Sequence, residues 1–140
     1  MSTTRRSARV CAVQILYKLA LSGELDVDHA LKSFYDHFEA PEEAKAYAEI
    51  LVRGVASHVA DLDEQLGKSS KHWRLERMAK VDLTILRLAA YELLYEHDVP
   101  HEVVIDEALE LVKQFSTAEA GAFVNGVLAP LVDERKIRVL

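Results

Sequence analysis

Three arginines lie within the first nine residues of this 140-residue chain, at Arg5, Arg6 and Arg9. The chain as a whole is acidic, with 17 Lys+Arg against 23 Asp+Glu, yet its first ten residues contain no acid. A local excess of positive charge on an acidic protein indicates an anion-binding segment and not a surface that is basic throughout. The arginines also open a predicted helix, whose free N–H groups and dipole favour phosphate. The sequence therefore predicts a phosphate-binding arm.

The predicted first helix has two faces of different character. One face is apolar in the pattern of a core-facing helix and comprises Ala8, Cys11, Ala12, Ile15, Leu16 and Leu19. The opposite arc places Val10, Val13 and Tyr17 beside Arg6 and Arg9. This arc indicates either a second packing layer or a ligand face, where arginines bind phosphates and Tyr17 stacks on a base of single-stranded nucleic acid. Exposed valines would equally suit self-association, so the sequence leaves monomer and homodimer both open.

Other residues capable of chemistry favour structural roles. Three acids share one predicted helix: Asp106, Glu107 and Glu110. They are predicted to form an exposed face, because paired carboxylates do acid–base work only where burial separates their pKa values. His97, Asp98 and His101 have no fourth ligand in view, and Pro100 interrupts the helix between them. With no glycine-rich phosphate loop, paired-cysteine site or nucleophile elbow, the sequence predicts no enzyme, cofactor or metal.

The composition is that of one globular domain. Half of the residues are apolar and 29% are charged, which distinguishes the chain from disordered proteins. Cys11, the single cysteine, cannot form an internal disulfide and is predicted to be a small core residue. No apolar run approaches the ~18 residues of a membrane span, and the N-terminus lacks a secretory apolar region. We expect a cytoplasmic protein.

Helical spacing dominates the chain, which has only five glycines and three prolines, so the sequence predicts an all-α fold. Gly23 is predicted to close the first helix, and Asp26 to cap the second. Pro41 at the first helical position begins a third helix that runs to Gly67. A basic segment at 68–80 then interrupts the pattern and is predicted to be a loop with a short turn.

The second half is predicted to contain the centre of the fold. The helix at about 82–97 is apolar on most sides, and its charged Arg87 and Glu92 are expected to pair within the core or to face a partner. A helix at about 102–115 follows. Ser116 and Glu119 fit a capping box for the last helix, whose basic tail at 135–138 is expected to fray.

The predicted helices, six or seven in number, divide into an N-terminal half of about 1–67 and a C-terminal half of about 68–140. Neither half has enough apolar residues for a core of its own. We therefore expect two packed helical bundles that form one compact domain over 1–140.

Several strings of residues resemble the NusB family of bacterial transcription antitermination factors. In chain order they are RRSAR at 5–9, AVQILY at 12–17, ILRLA at 85–89, YEL at 91–93, VP at 99–100, EALEL at 107–111 and FVNGVL at 123–128. The resemblance implies an all-helical fold without catalysis. It also implies binding of boxA RNA together with NusE, a small-subunit ribosomal protein that doubles as a transcription factor. The complex would join RNA polymerase and other Nus factors and support ribosomal RNA synthesis past terminators.

The resemblance also assigns roles to single residues. The residues implied in RNA binding are Arg5, Arg6, Arg9, Tyr17, Glu119 and Phe123. Asp82 and Arg87 are implied in docking NusE. Two residues depart from the family, since Asp106 stands in place of the usual asparagine and Leu83 in place of a common arginine; the second departure bears on partner docking. Asn125 and Gly126 are predicted to mark a close helix crossing, since a glycine inside a helix costs ~1 kcal/mol relative to alanine.

Two alternatives stay open on the sequence. The chain could correspond to the RNA-binding module that some RNA cytosine methyltransferases carry. It could also be a helical adaptor that binds only protein and whose arginines are merely solvated.

Overall fold

A computed structural model of the chain describes residues 3–23, 26–70 and 74–139. Its helices are α1 (Thr3–Ser22), α2 (Val27–His37), α3 (Glu42–Ser69), α4 (Lys80–Tyr95), α5 (His101–Phe115), α6 (Ala120–Leu128) and α7 (Leu131–Val139). A 3-10 turn, Leu75–Arg77, precedes α4. Across these ranges there is no β-strand, and the all-α prediction is confirmed. No helix within these ranges is long and apolar enough to cross a membrane.

Local signals set the ends of the first helices. Gly23 adopts a φ of 70°, and its N–H donates to the Leu19 carbonyl at 3.1 Å, as expected of a left-handed residue that closes a helix. The Asp26 carboxylate accepts from the His29 N–H at 3.0 Å and caps α2. Pro41 differs slightly from its predicted position, since it immediately precedes α3, whose first helical residue is Glu42.

The core centres on α4, as the sequence predicts. Ile85, Leu86 and Leu93 are fully buried, and α4 packs against α1, α3, α5, α6 and α7. Helices from both halves of the chain thus contribute to one apolar cluster. Cys11 is half-buried at the edge of this cluster, where burial raises the pKa of its thiol.

The predicted helix crossing at Gly126 is wrong. Gly126 is exposed, and an added Cβ there would meet no atom within 4 Å. The close approach is at Gly54 instead, where an added Cβ would lie 2.1 Å from Cζ of Tyr91. Gly54 lies in the middle of α3, and α3 and α4 have many residues in contact, so this glycine lets the two helices approach around the Tyr91 ring.

The predicted capping box at the end of the chain is also wrong. Glu119 makes no capping hydrogen bond, and the Ser116 hydroxyl donates to the Asp82 carboxylate instead. The last helix is divided into α6 and α7, because Pro130 lacks an N–H and restricts the residue before it.

The basic tail at 135–138 is predicted to fray, but in the structure its arginines bond to the rest of the fold. Arg135 is buried and donates to the His97 carbonyl at 2.8 Å. Arg138 forms a bidentate pair with Asp61 at 2.9 and 3.0 Å. This contact with Arg138 is the main cause that lowers the pKa of Asp61 to about 2. Arg135 thus attaches α7 to the loop between α4 and α5, and Arg138 attaches it to α3.

Candidate nucleic-acid interface

Arg9 is not on an exposed face, and its predicted placement is wrong. It is 2% exposed, and its Nε and Nη2 donate to the two Glu92 carboxylate oxygens at 2.7 and 2.8 Å. The helical spacing located the apolar face of α1 correctly and left open a second packing layer on the opposite arc. Arg9 lies in such a layer, because α1 packs against both α3 and α4. A charge buried in this way is stable because it is paired and hydrogen-bonded.

Tyr47 completes the surroundings of Glu92. Its hydroxyl donates to Glu92 Oε2 at 2.7 Å. Burial, followed by the nearby Glu92 charge, raises the pKa of Tyr47, so the hydroxyl keeps its proton and stays a donor. The guanidinium of Arg5 lies over the Tyr47 ring, 4.4 Å from its centroid. The buried pair of Arg9 and Glu92 thereby holds in place the Tyr47 ring that the Arg5 guanidinium contacts.

Glu107 links the buried arginine to the surface arginine. It is 3% exposed, so it does not belong to the exposed acidic face that was predicted for it, whereas Asp106 and Glu110 are exposed. Arg6 donates to Glu107 through Nε at 3.3 Å and Nη2 at 2.8 Å. Arg9 Nη1 donates to the same carboxylate at 3.4 Å. Two arginines therefore share one buried acid.

Arg5 and Arg6 are the accessible members of the N-terminal group. Their side chains are 38% and 55% exposed, and Arg5 also lies 3.6 Å from the Asp98 carboxylate. Within the described ranges, no hydrogen bond engages Nη1 of Arg6. Glu107 holds one edge of the Arg6 guanidinium. The orientation of this guanidinium suits bidentate contact with a phosphate.

Tyr17 lies apart from these arginines. It is partly exposed and lies eleven residues after Arg6, about 16 Å further along α1 at the helical rise per residue. Val13 is 1% exposed, so the second packing layer is confirmed at that position, and the proposed valine stripe reduces to the half-buried Val10. Tyr17 could contact only a different part of a ligand that Arg6 binds.

Glu119 and Phe123 line a cavity of about 540 Å³ between α6 and the start of α4. Asp82, which the resemblance links to the partner, lines the same cavity. So do Arg74 and Arg77. The structure thus brings Asp82 together with two residues implied in RNA binding.

Arg87 lies on a different side of α4. It forms a bidentate pair with Asp63, with both distances 2.8 Å, and its side chain is 23% exposed. It also borders an apolar groove of about 240 Å³ whose other residues include Leu16 and Val59. The prediction that charges of this helix pair is confirmed for Glu92 and Arg87, but Asp82 and Arg87 do not form one surface.

Comparisons with known proteins identify one family. The NusB family model matches residues 6–133. The transcription antitermination protein NusB of Anaeromyxobacter dehalogenans strain 2CP-1 is 50% identical over 129 residues, which are 91% of this chain and 89% of that protein. NusB of Desulfitobacterium hafniense strain DCB-2 is 42% identical over 131 residues, 93% of this chain and 88% of that one.

Solved structures agree with the sequence comparison. NusB of T. maritima superimposes with a TM-score of 0.85 at 34% identity and covers 96% of this chain and 94% of its own. A crystal structure of the antitermination factors NusB and NusE in complex with double-stranded RNA matches with a TM-score of 0.84 at 29% identity. That match covers 96% of this chain and 99% of the other.

Proposed function

Since this chain belongs to the NusB family, we propose that it is a transcription antitermination factor that binds boxA RNA of ribosomal RNA operons together with NusE. The observation that carries the proposal is the match, over 96% of this chain, to a protein solved with NusE and RNA. In this role the protein joins the elongating RNA polymerase and other Nus factors in the cytoplasm. The role requires no catalytic step and no cofactor.

Arg5 and Arg6 are the proposed phosphate contacts of the N-terminal arm. Glu107 and the Tyr47 ring hold their guanidinium groups at the surface, so a phosphate meets oriented donors whose conformational freedom is already reduced. Arg9 acts behind them as a positioning residue, because it is buried and bonds to Glu107. Arg5 and Arg6 thus contact RNA, whereas Arg9 holds in place the residues that position them.

The remaining candidate residues lie at three separate places. Glu119 and Phe123 are proposed to contact RNA further along the strand, and Tyr17 to stack on a base beyond the end of the arm. Arg87 is the proposed NusE contact on the side of Asp63. Asp82 lies at the boundary, because it borders the cavity of Glu119 and Phe123.

Replacing both Arg5 and Arg6 by alanine is expected to weaken RNA binding in a salt-dependent way. Each phosphate neutralised on a single strand contributes about 0.7 to the slope of log affinity against log salt, so the double variant should have a slope shallower by about 1.4. Fluorescence anisotropy with a labelled boxA RNA, in the presence of NusE and over a range of salt concentrations, measures it.

The matched control is Lys32→Ala with Arg53→Ala, which changes net charge equally on exposed positions of α2 and α3. Arg9 is left unchanged because its loss would leave Glu92 buried without a cation. If the control and the Arg5/Arg6 variant show the same slope, the arm does not contact RNA.

A further inference from the structure

Asp98, in the turn between α4 and α5, is an acid that the proposed RNA contact of Arg5 does not explain. Its carboxylate lies 3.6 Å from the Arg5 guanidinium. We propose that Asp98 competes with RNA: it pairs with Arg5 in the free protein, and an RNA phosphate must displace it before Arg5 can bind. This inference rests on the proposed function and adds to it a residue that limits RNA affinity at the arm.

The turn that carries Asp98 is held in place by α7. The buried Arg135 guanidinium donates through Nη2 to the His97 carbonyl at 2.8 Å and also to the Val99 carbonyl. Val99 is itself 2% exposed, so the residues on both sides of Asp98 are anchored to the fold. The backbone of the turn therefore keeps the Asp98 carboxylate within reach of Arg5.

The two accessible arginines of the arm are paired in different ways. Arg6 bonds at 2.8 Å to Glu107, which is buried and also bonds to Arg9. A buried carboxylate held by two cations stays in place when a phosphate binds, because its separation from them would be costly. The Asp98 side chain is instead 71% exposed, and 3.6 Å is longer than a charge-assisted hydrogen bond. Such an exposed pair is weak, so a phosphate that accepts two hydrogen bonds from Arg5 displaces it.

The surroundings of Arg5 are negative, which strengthens the competition. Burial, followed by the charges of Asp98 and Glu92, raises the pKa of Glu96. The Arg5 charge opposes this rise, so Arg5 lies in the field of all three acids, and a phosphate that approaches it meets their repulsion. Glu92 is buried and paired with Arg9, whereas the exposed Asp98 can be replaced without loss of a core contact. Asp98 is therefore the acid whose removal isolates the effect.

The test compares Asp98→Asn with the control Glu64→Gln, since each removes one negative charge from an exposed ion pair. Glu64 lies about 25 Å along α3 from Tyr47, the residue that Arg5 contacts, and exposed charges are screened beyond ~10 Å at 0.1 M salt. Labelled boxA RNA is titrated in the presence of NusE across a salt series. Asp98→Asn is expected to raise affinity about twofold to fivefold, the range of an exposed ion pair. It should also steepen the slope of log affinity against log salt by up to about 0.7, the contribution of one phosphate, and Glu64→Gln should change neither.

A double-mutant cycle tests whether the gain acts through Arg5. In an Arg5→Ala background, Asp98→Asn should raise affinity no more than Glu64→Gln does, because the cation for which Asp98 competes is absent. A scrambled RNA should gain affinity by the same factor as boxA RNA, because phosphate contacts carry no sequence information.

The outcomes separate this inference from the proposed function. Equal effects of Asp98→Asn and Glu64→Gln, or a gain that persists in the Arg5→Ala background, would overturn the inference and leave the proposed function intact. A gain for boxA RNA alone would also overturn it and assign Asp98 to base recognition. Failure of the unaltered protein with NusE to bind boxA RNA would overturn the proposed function itself.

Discussion

Replacing Glu92 by alanine is expected to destabilise the protein by about 3–5 kcal/mol, because it removes the bidentate partner of a buried arginine and leaves Arg9 only the longer contact with Glu107, which Arg6 shares. Arg9 and Glu92 are both 2% exposed, and the Tyr47 hydroxyl would lose its acceptor at the same time. Unfolding by urea, followed by circular dichroism at 222 nm as a helical signal, measures the loss in the free energy of unfolding.

The control for this variant is Glu64→Ala, which removes an equally charged side chain from an exposed pair with Lys68. Such surface pairs contribute about 0–1 kcal/mol. A double variant, Arg9→Met with Glu92→Leu, should recover much of the lost stability, since apolar groups of similar size often replace a buried ion pair without cost. Equal effects of Glu92→Ala and Glu64→Ala would show that the pair is not buried as described.

Replacing Leu86 by alanine is expected to cost about 2–5 kcal/mol, since it opens a cavity in the centre of the fold. Leu86 is fully buried on α4, the helix that packs against five others. Leu21→Ala is the matched control, because Leu21 is 55% exposed near the end of α1 and its loss should change stability by less than about 0.5 kcal/mol. A cost below about 1 kcal/mol for Leu86→Ala would contradict a core centred on α4.

The features predicted correctly from the sequence depend on residues close together in the chain. A glycine after an apolar helix and an aspartate before the next are local signals, and the structure confirms them at Gly23 and Asp26. The central position of α4 was predictable because its residues are apolar on most sides. The division between α6 and α7 had a local signal as well, at Pro130, but the prediction treated the chain from the Ser116 cap to the basic tail at 135–138 as one helix.

The features that the sequence did not predict depend on distant residues. Arg9 and Glu92 are 83 residues apart, and no periodicity within either helix indicates that the two charges meet. Arg6 and Glu107 are 101 residues apart, so nothing in the spacing of residues indicates that an acid of α5 pairs with the predicted phosphate-binding arm. The glycine that permits a helix crossing, Gly54, lies in an ordinary apolar stretch of α3, where spacing gives no sign of a close approach.

The candidate RNA site was predicted in part. The resemblance supplied the residues, but it grouped Asp82 with Arg87, which are only five positions apart and lie on different sides of α4. The basic segment at 68–80 was visible as a charge run without a role. Its residues Arg74 and Arg77 line the same cavity as Phe123, and because Phe123 lies on α6, this proximity depends on residues that are distant in the chain.

We propose that RNA binding is shared between this chain and NusE. The chain carries a net charge of −6, and Arg6 already shares its charge with Glu107, so the isolated protein should bind RNA weakly. A titration of labelled boxA RNA with the protein alone and with NusE at saturation tests this directly, with a scrambled RNA as control. We expect NusE to raise boxA affinity at least tenfold, a coupling of ~1.4 kcal/mol or more, and equal affinities with and without NusE would contradict the account.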